Sequence, residues 1–194
     1  NDSLAMRRDE FTDLMNTQIL EAYELLNSLL LKEMDIFTPA GLYALLEMNH
    51  IVLCGSDQRT RMQYYQHLSE TRKIFLLRIK PIKEWVIRKH ESYDPYKLAA
   101  GFYSQMLSRP QLFLEGNHRT GNILLNYLLV SKGAAPYIIS ADDAHTYLDL
   151  SGDIKFTQKG NFDTALRMPG HRKRFYIFLK EHTHYSFMIS KENS

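Results

Sequence analysis

Apolar residues recur along this chain at the three- and four-residue spacing of amphipathic helices, and the two-residue alternation of strands is sparse. The first pattern runs from about Asp2 to about Glu33. Phe11, Met15, Ala22, Leu25, Leu26 and Leu29 gather mainly on one side, and charged residues fill the rest. Thr38-Pro39 marks the next start, with threonine as cap and proline in the first turn. That helix carries Leu42, Leu45, Leu46 and Val52, and Gly55 is its natural stop. A third helix is expected over about Asp57 to Lys80, ended or kinked at Pro81, with a short continuation through Trp85, Val86 and Ile87. Asp94-Pro95 repeats the cap-plus-proline signal. The helix it opens runs to about Ser108, with Leu98, Phe102 and Met106 one turn apart, and Arg109-Pro110 breaks it.

Gln111 to Leu114 reads as a short extended piece, and Glu115-Gly116-Asn117 turns the chain into a helix from Arg119 to about Lys132. Ile123, Leu124, Leu125, Tyr127, Leu128, Leu129 and Val130 make that helix apolar nearly all round, which places it at the centre of a bundle. Gly133 closes it. Ala141 to Leu150 is expected to be helical, Ile154-Lys155-Phe156 a brief strand, Gly160 to Gly170 a loop, and His171 to Glu181 a last helix. The expected fold class is all-α, a helical bundle with at most a small β-hairpin. Its organisation is an N-terminal helical region, 1–55, packed on a core of 56–194.

The 194 residues are enough for one domain with a sizeable core. A net charge of +2 gives no large electrostatic pull toward nucleic acid or an anionic membrane, so neither is expected as a partner. No apolar run approaches the ~20 residues that span a bilayer. Asn1-Asp2-Ser3 lacks the charge-then-apolar order of a secretory signal. Cys54 is the only cysteine, which excludes an intrachain disulfide and a cysteine-based zinc cage. A reducing, cytoplasmic setting is the expectation, with an exported effector as the other option. The dense basic run His171-Arg172-Lys173-Arg174 reads first as a solvated helix face, and a phosphate-binding patch is its alternative.

The chemistry concentrates in Gln111-Leu112-Phe113-Leu114-Glu115-Gly116-Asn117-His118-Arg119-Thr120-Gly121-Asn122. Gly116 permits a tight turn with close backbone approach, and Asn117 can cap the helix that follows. Free amides at a helix start, at the positive end of its dipole, form an anion site. Arg119 adds a planar donor fork suited to phosphate oxygens. Glu115, a carboxylate beside such a site, is a reasonable Mg²⁺ ligand alongside phosphate oxygens. Spacing alone leaves a second reading open, in which Glu-Gly-Asn is a plain turn before a buried helix.

The segment resembles the Fic (Fido) signature, histidine-x-phenylalanine-x-acid-glycine-asparagine-glycine-arginine, with a further arginine three positions on. Phe113, Glu115, Gly116, Asn117 and Arg119 stand where that pattern wants them. The resemblance covers about a dozen residues together with the preceding helix, the break and the apolar central helix. It implies that Phe113 anchors the loop, Glu115 holds Mg²⁺, Gly116 and Asn117 shape an anion hole, and Arg119 contacts nucleotide phosphates. It implies Mg²⁺ and ATP or a related nucleotide as cofactors. Most members transfer AMP from ATP to a hydroxyl on a target protein, and others transfer a different phosphate-containing group; a nucleotide and a target protein are therefore the implied partners.

Three departures from the pattern bear on activity. Gln111 occupies the position of the catalytic histidine, and an amide cannot serve as a base near neutral pH. Loss of a general base typically costs ~10²–10⁴ in rate, while positioning and electrostatics can survive. His118 replaces a glycine. It is a candidate substitute base, or else it packs over the loop or contacts a phosphate. Asn122 stands where the second phosphate-binding arginine is expected. The expected protein is thus a nucleotide- or phosphate-binding domain impaired for AMP transfer. The alternative is an active protein nucleotidyl- or phosphotransferase using a non-standard base.

Other signals are set aside. Thr17 and Glu21 approach the family's inhibitory-helix pattern, but Ala22 breaks it. His182 and His184 are read as surface residues, and Asp142, Asp143 and His145 as part of a helix start after Ser140.

Overall fold

A computed structural model describes residues 12–188. Eight α-helices make up the described chain: α1 (Asp13–Leu31), α2 (Pro39–Cys54), α3 (Gln58–Gln63), α4 (Tyr65–Lys89), α5 (Pro95–Leu107), α6 (Asn117–Val130), α7 (Ala141–Lys155) and α8 (Phe162–His182). A short 3₁₀ turn, Tyr185–Phe187, follows. The fold is all-α, and the described residues contain no sheet. Extended pairing is limited to two single bridges, Arg109 with Gln158 and Tyr137 with Thr183. The first part of the expected opening helix, residues 2–11 with Phe11, lies outside the described residues.

The helix starts follow from local side-chain chemistry. Thr12, Thr38, Asp57, Asp94 and Ser140 each accept a hydrogen bond from a backbone N–H three residues on, at 2.8–3.2 Å. Pro39 and Pro95 occupy the first helical turn, where no intrahelical N–H is missed.

α6 lies at the centre, against α1, α2 and α5, and α8 covers α5 and α7. One apolar core runs from Ala22 in α1 to Leu179 in α8, so the described part of the 1–55 region shares its interior with the rest. Complete burial of each Leu or Phe side chain there contributes roughly 1.5–3 kcal/mol. Gly121 sets the closeness of α5 and α6: a Cβ at that position would stand 2.4 Å from Met106 Cε and 2.9 Å from the Tyr103 ring. α6 also grips a distant segment through Asn126, whose amide accepts from Tyr137 N at 2.8 Å and donates to Tyr137 O at 2.9 Å.

Four expectations are corrected. The third helix divides at Tyr64 into α3 and α4. α4 then runs through Pro81, and α8 through Pro169, without ending. Both prolines are exposed, as are Leu77 and Ala165, whose carbonyls lose their helical donors and can turn to water. The predicted loop of 160–170 is therefore mostly the start of α8. The predicted strand at 154–156 is the last turn of α7, where Ile154 is wholly buried.

Candidate functional site

Between α5 and α6 the chain makes an irregular loop whose backbone is held almost residue by residue. Arg109 N donates to Thr157 O at 2.9 Å, and Lys159 N to Arg109 O at 2.7 Å, which draws the end of α7 against the loop. Lys159 Nζ donates to Pro110 O, and Arg78 Nη1 to Gln111 O. Leu112 and Phe113 are buried, and the Phe113 ring stacks on Phe75 with centroids 5.4 Å apart. Phe113 thus anchors the loop in the core.

Asn117 departs from the role read from the sequence. Gly116, at φ 71° and ψ 8°, is the residue before α6, and Asn117 is the first helical residue. The Asn117 side chain turns back onto the loop. Its Oδ1 accepts from Phe113 N and its Nδ2 donates to Phe113 O, both at 2.9 Å. It caps nothing, and α6 begins with no side-chain cap. The left-handed conformation at Gly116 favours glycine, and an added Cβ would lie 3.1 Å from Asn49 Nδ2.

Asn49 of α2 completes the arrangement. Its Nδ2 donates to Glu115 O and to Thr120 Oγ1, each at 3.0 Å. In a planar trans peptide the N–H points opposite the C=O. The Glu115 carbonyl faces Asn49, so the Gly116 N–H is directed away from it. The amides of Gly116, Asn117 and His118 have no hydrogen-bond partner among the described residues. Successive unpaired donors after a left-handed residue, at the positive end of a helix dipole, are a concavity suited to an anion.

These amides border a cavity of about 510 Å³ lined by Gln111, Leu114, Glu115, Gly116, Asn117, His118, Arg119 and Lys155. Two cations and one carboxylate line it. Arg119 is half-buried and donates from Nη1 to Val52 O at 3.0 Å, tying the α6 start to the α2 end. Lys155 comes from the last turn of α7. The sequence pattern hides it, because Ile154-Lys155-Phe156 reads as a strand; a basic residue in the last turn of a helix is the signal that points to it. Arg78, Lys159 and Asn49, which hold the loop's carbonyls, were missed as well, since only the tertiary fold brings them there. Asn122 is half-buried on α6, beyond the cavity lining, and its Oδ1 is buried without a partner.

Gln111, at the position of the expected base, is committed to structure. Its Nε2 donates to Leu107 O at 3.1 Å, and its Oε1 accepts from Asn117 Nδ2 at 3.5 Å. His118 faces the core with Nδ1, 3.4 Å from Tyr103 Oη. Burial, and secondarily the charge of Lys155, push its pKa down to about 4, so it is neutral near pH 7. Glu115 projects into solvent with its side chain 70% exposed, 3.9 Å from His67 Nε2. It is the only carboxylate on the lining, and the described residues hold no cluster of three or more His, Cys, Asp or Glu side chains suited to a metal. A single carboxylate fits Mg²⁺ only as the companion of a phosphate ligand.

The signals set aside lie elsewhere. Glu21 accepts from Ser56 N at 2.8 Å, and Thr17 bonds back to Asp13 O. His182 is more than a surface residue: it stacks on Phe178, bonds its carbonyl, and sits 3.5 Å from Asp143. His145 pairs with Asp149. In the basic run 171–174, Arg174 and His171 pair with Asp153 and Arg172 lies over Trp85, while Lys173 is exposed. Cys54 is a buried free thiol. Among the described residues no helix is long and apolar enough to cross a membrane.

Comparison with protein-family models, with curated proteins and with solved structures yields no match.

Proposed function

We propose that this chain is a divergent Fic-fold domain that binds a nucleotide or phosphate group at the start of α6 and is impaired for AMP transfer. The observation that carries the reading is the uncapped, glycine-initiated start of α6, whose unpartnered amides open on a cavity lined by Arg119 and Lys155. The motif residues Phe113, Glu115, Gly116, Asn117 and Arg119 are all in the one loop and helix start. Their division of labour follows the resemblance: Phe113 anchors, Gly116 and Asn117 shape the backbone, Arg119 and the amides face the anion. Glu115 would share Mg²⁺ with the ligand's phosphates, the metal supplying charge neutralisation there.

Gln111 supports the impaired half of the reading. It has no basic nitrogen, and both ends of its amide are engaged. An active transferase acting on a target-protein hydroxyl would need another group to accept the proton.

Titration calorimetry with ATP, ADP and CDP-linked donors, with and without Mg²⁺, tests binding. The expected result is saturable heat from at least one nucleotide, reduced in Arg119→Ala. No heat from any of them at millimolar concentration would end the proposal. Incubation with labelled ATP and cell lysate tests impairment: the expected result is no labelled protein with the native chain. Labelling that disappears in Arg119→Ala would establish an active transferase instead.

A further inference from the structure

His118 and the tyrosines beneath it form a chain of polar atoms leading from the core to the cavity. Tyr147 Oη lies 2.7 Å from Tyr103 Oη, and Tyr103 Oη lies 3.4 Å from His118 Nδ1. Both tyrosines are buried, at 3% and 0% exposed. Tyr103 is fixed in place by its stack on Phe175, 4.7 Å between centroids, and by the close approach at Gly121.

Counting protons along this chain sets its direction. Each hydroxyl has one proton to donate. If Tyr103 donated to Tyr147, the Tyr147 proton would be buried with no other acceptor, because Tyr103 is its only hydrogen-bond partner among the described residues. An unsatisfied buried donor costs about 1–3 kcal/mol. If Tyr147 donates to Tyr103, the Tyr103 proton is free to reach His118 Nδ1. Ser151, the other hydroxyl beside Tyr103, donates its own proton to Leu148 O. The second arrangement strands neither the Tyr103 proton nor the Tyr147 proton. It makes Nδ1 an acceptor and puts the ring proton of the neutral imidazole on Nε2. His118 Nε2 has no partner among the described residues, and His118 lines the cavity.

We infer that Tyr103 is a positioning residue that holds His118 as a neutral Nε2–H donor to an anionic oxygen in the cavity. The inference rests on the reading of the cavity as an anion site. It assigns His118 to ligand binding and removes it as a base, since its cavity-facing nitrogen already carries a proton. Burial and Lys155 both oppose the imidazolium form, so the donor persists across neutral pH.

The tautomer is read without ligand, by nitrogen NMR of the full chain labelled in histidine. The expected spectrum shows His118 with Nε2 protonated and Nδ1 unprotonated throughout pH 6 to 8. A protonated Nδ1, or an imidazolium in that range, overturns the inference. In Tyr103→Phe the tautomers are expected to mix; an unchanged tautomer overturns the positioning role. Should that variant not fold, the native spectrum decides. Pyrophosphate titration then tests the donor. His118→Leu is expected to weaken binding about three- to tenfold, and His118→Gln, which keeps a donor, by less. Equal binding by His118→Leu and the native chain overturns the donor role. If the native chain binds no pyrophosphate, the site reading and the donor role both fail, whereas a wrong tautomer with intact binding sinks this inference alone.

Discussion

The starts of α5 and α6 are built from the same vocabulary and end differently. At α5, Asp94 accepts from Lys97 N at 3.0 Å and Pro95 follows, so the first turn is closed by the chain's own side chain. At α6 an asparagine stands in a similar place, but Gly116 in the left-handed region swings it one position into the helix. Its side chain then grips Phe113 and leaves the first turn open. One residue of register separates a satisfied helix end from a set of unpaired donors. A helix start without a cap is normally a loss of about 1 kcal/mol. It persists here because Asn117, Asn49, Arg78 and Lys159 fix the loop by other means. Asn126, at the other end of α6, pairs with Tyr137 in the same two-bond fashion, with no open amides beside it. The amide grip is thus a structural device, and only its combination with Gly116 leaves a helix start open.

Removing the grip should have the largest effect. Asn117→Ala leaves the buried N–H and C=O of Phe113 unpaired and should cost about 2–4 kcal/mol in urea unfolding. A cost below about 1 kcal/mol would mean the loop is held by the remaining contacts alone. Second comes acidity. The folded pKa of His118 lies near 4, below its ordinary 6.5, so the unfolded chain binds the extra proton between those values. Its stabilising contribution is complete above about 6.5 and is lost as pH falls toward 4. The native chain should lose on the order of 3 kcal/mol over that window that His118→Gln does not, measured by unfolding at several pH values.

Cap removal at the control site comes third. Asp94→Ala should cost about 1 kcal/mol and leave pyrophosphate binding unchanged, which separates a stabilising cap from a binding start. The smallest effect is expected from Lys155→Met. It should weaken pyrophosphate binding by up to about fivefold, with the difference shrinking at high salt. Salt-independent loss would point to packing rather than charge.

Much of this architecture was legible because its causes are local. Thr38-Pro39 and Asp94-Pro95 announce their helices within three residues, and the apolar girdle of α6 announces its burial. What escaped depends on distance or context. Pro81 reads as an end or a kink and Gly160 to Gly170 as a loop, yet Pro81 and Pro169 both sit on exposed faces where water can replace the lost hydrogen bond. Lys155 reaches the cavity because a single pairing, Arg109 against 157–159, folds the α7 end onto the loop. The segment 111–122 gives the turn and the helix start, but not the direction of the Asn117 side chain. That direction depends on whether the cap position falls at residue 116 or 117.

The most direct test follows individual backbone amides by NMR while pyrophosphate is added. Large, saturable shifts are expected at Gly116, Asn117 and His118, while the capped amide of Lys97 at the α5 start stays unmoved. Shifts of similar size at both helix starts, or none at 116–118 up to millimolar pyrophosphate, would contradict an anion site at the α6 start.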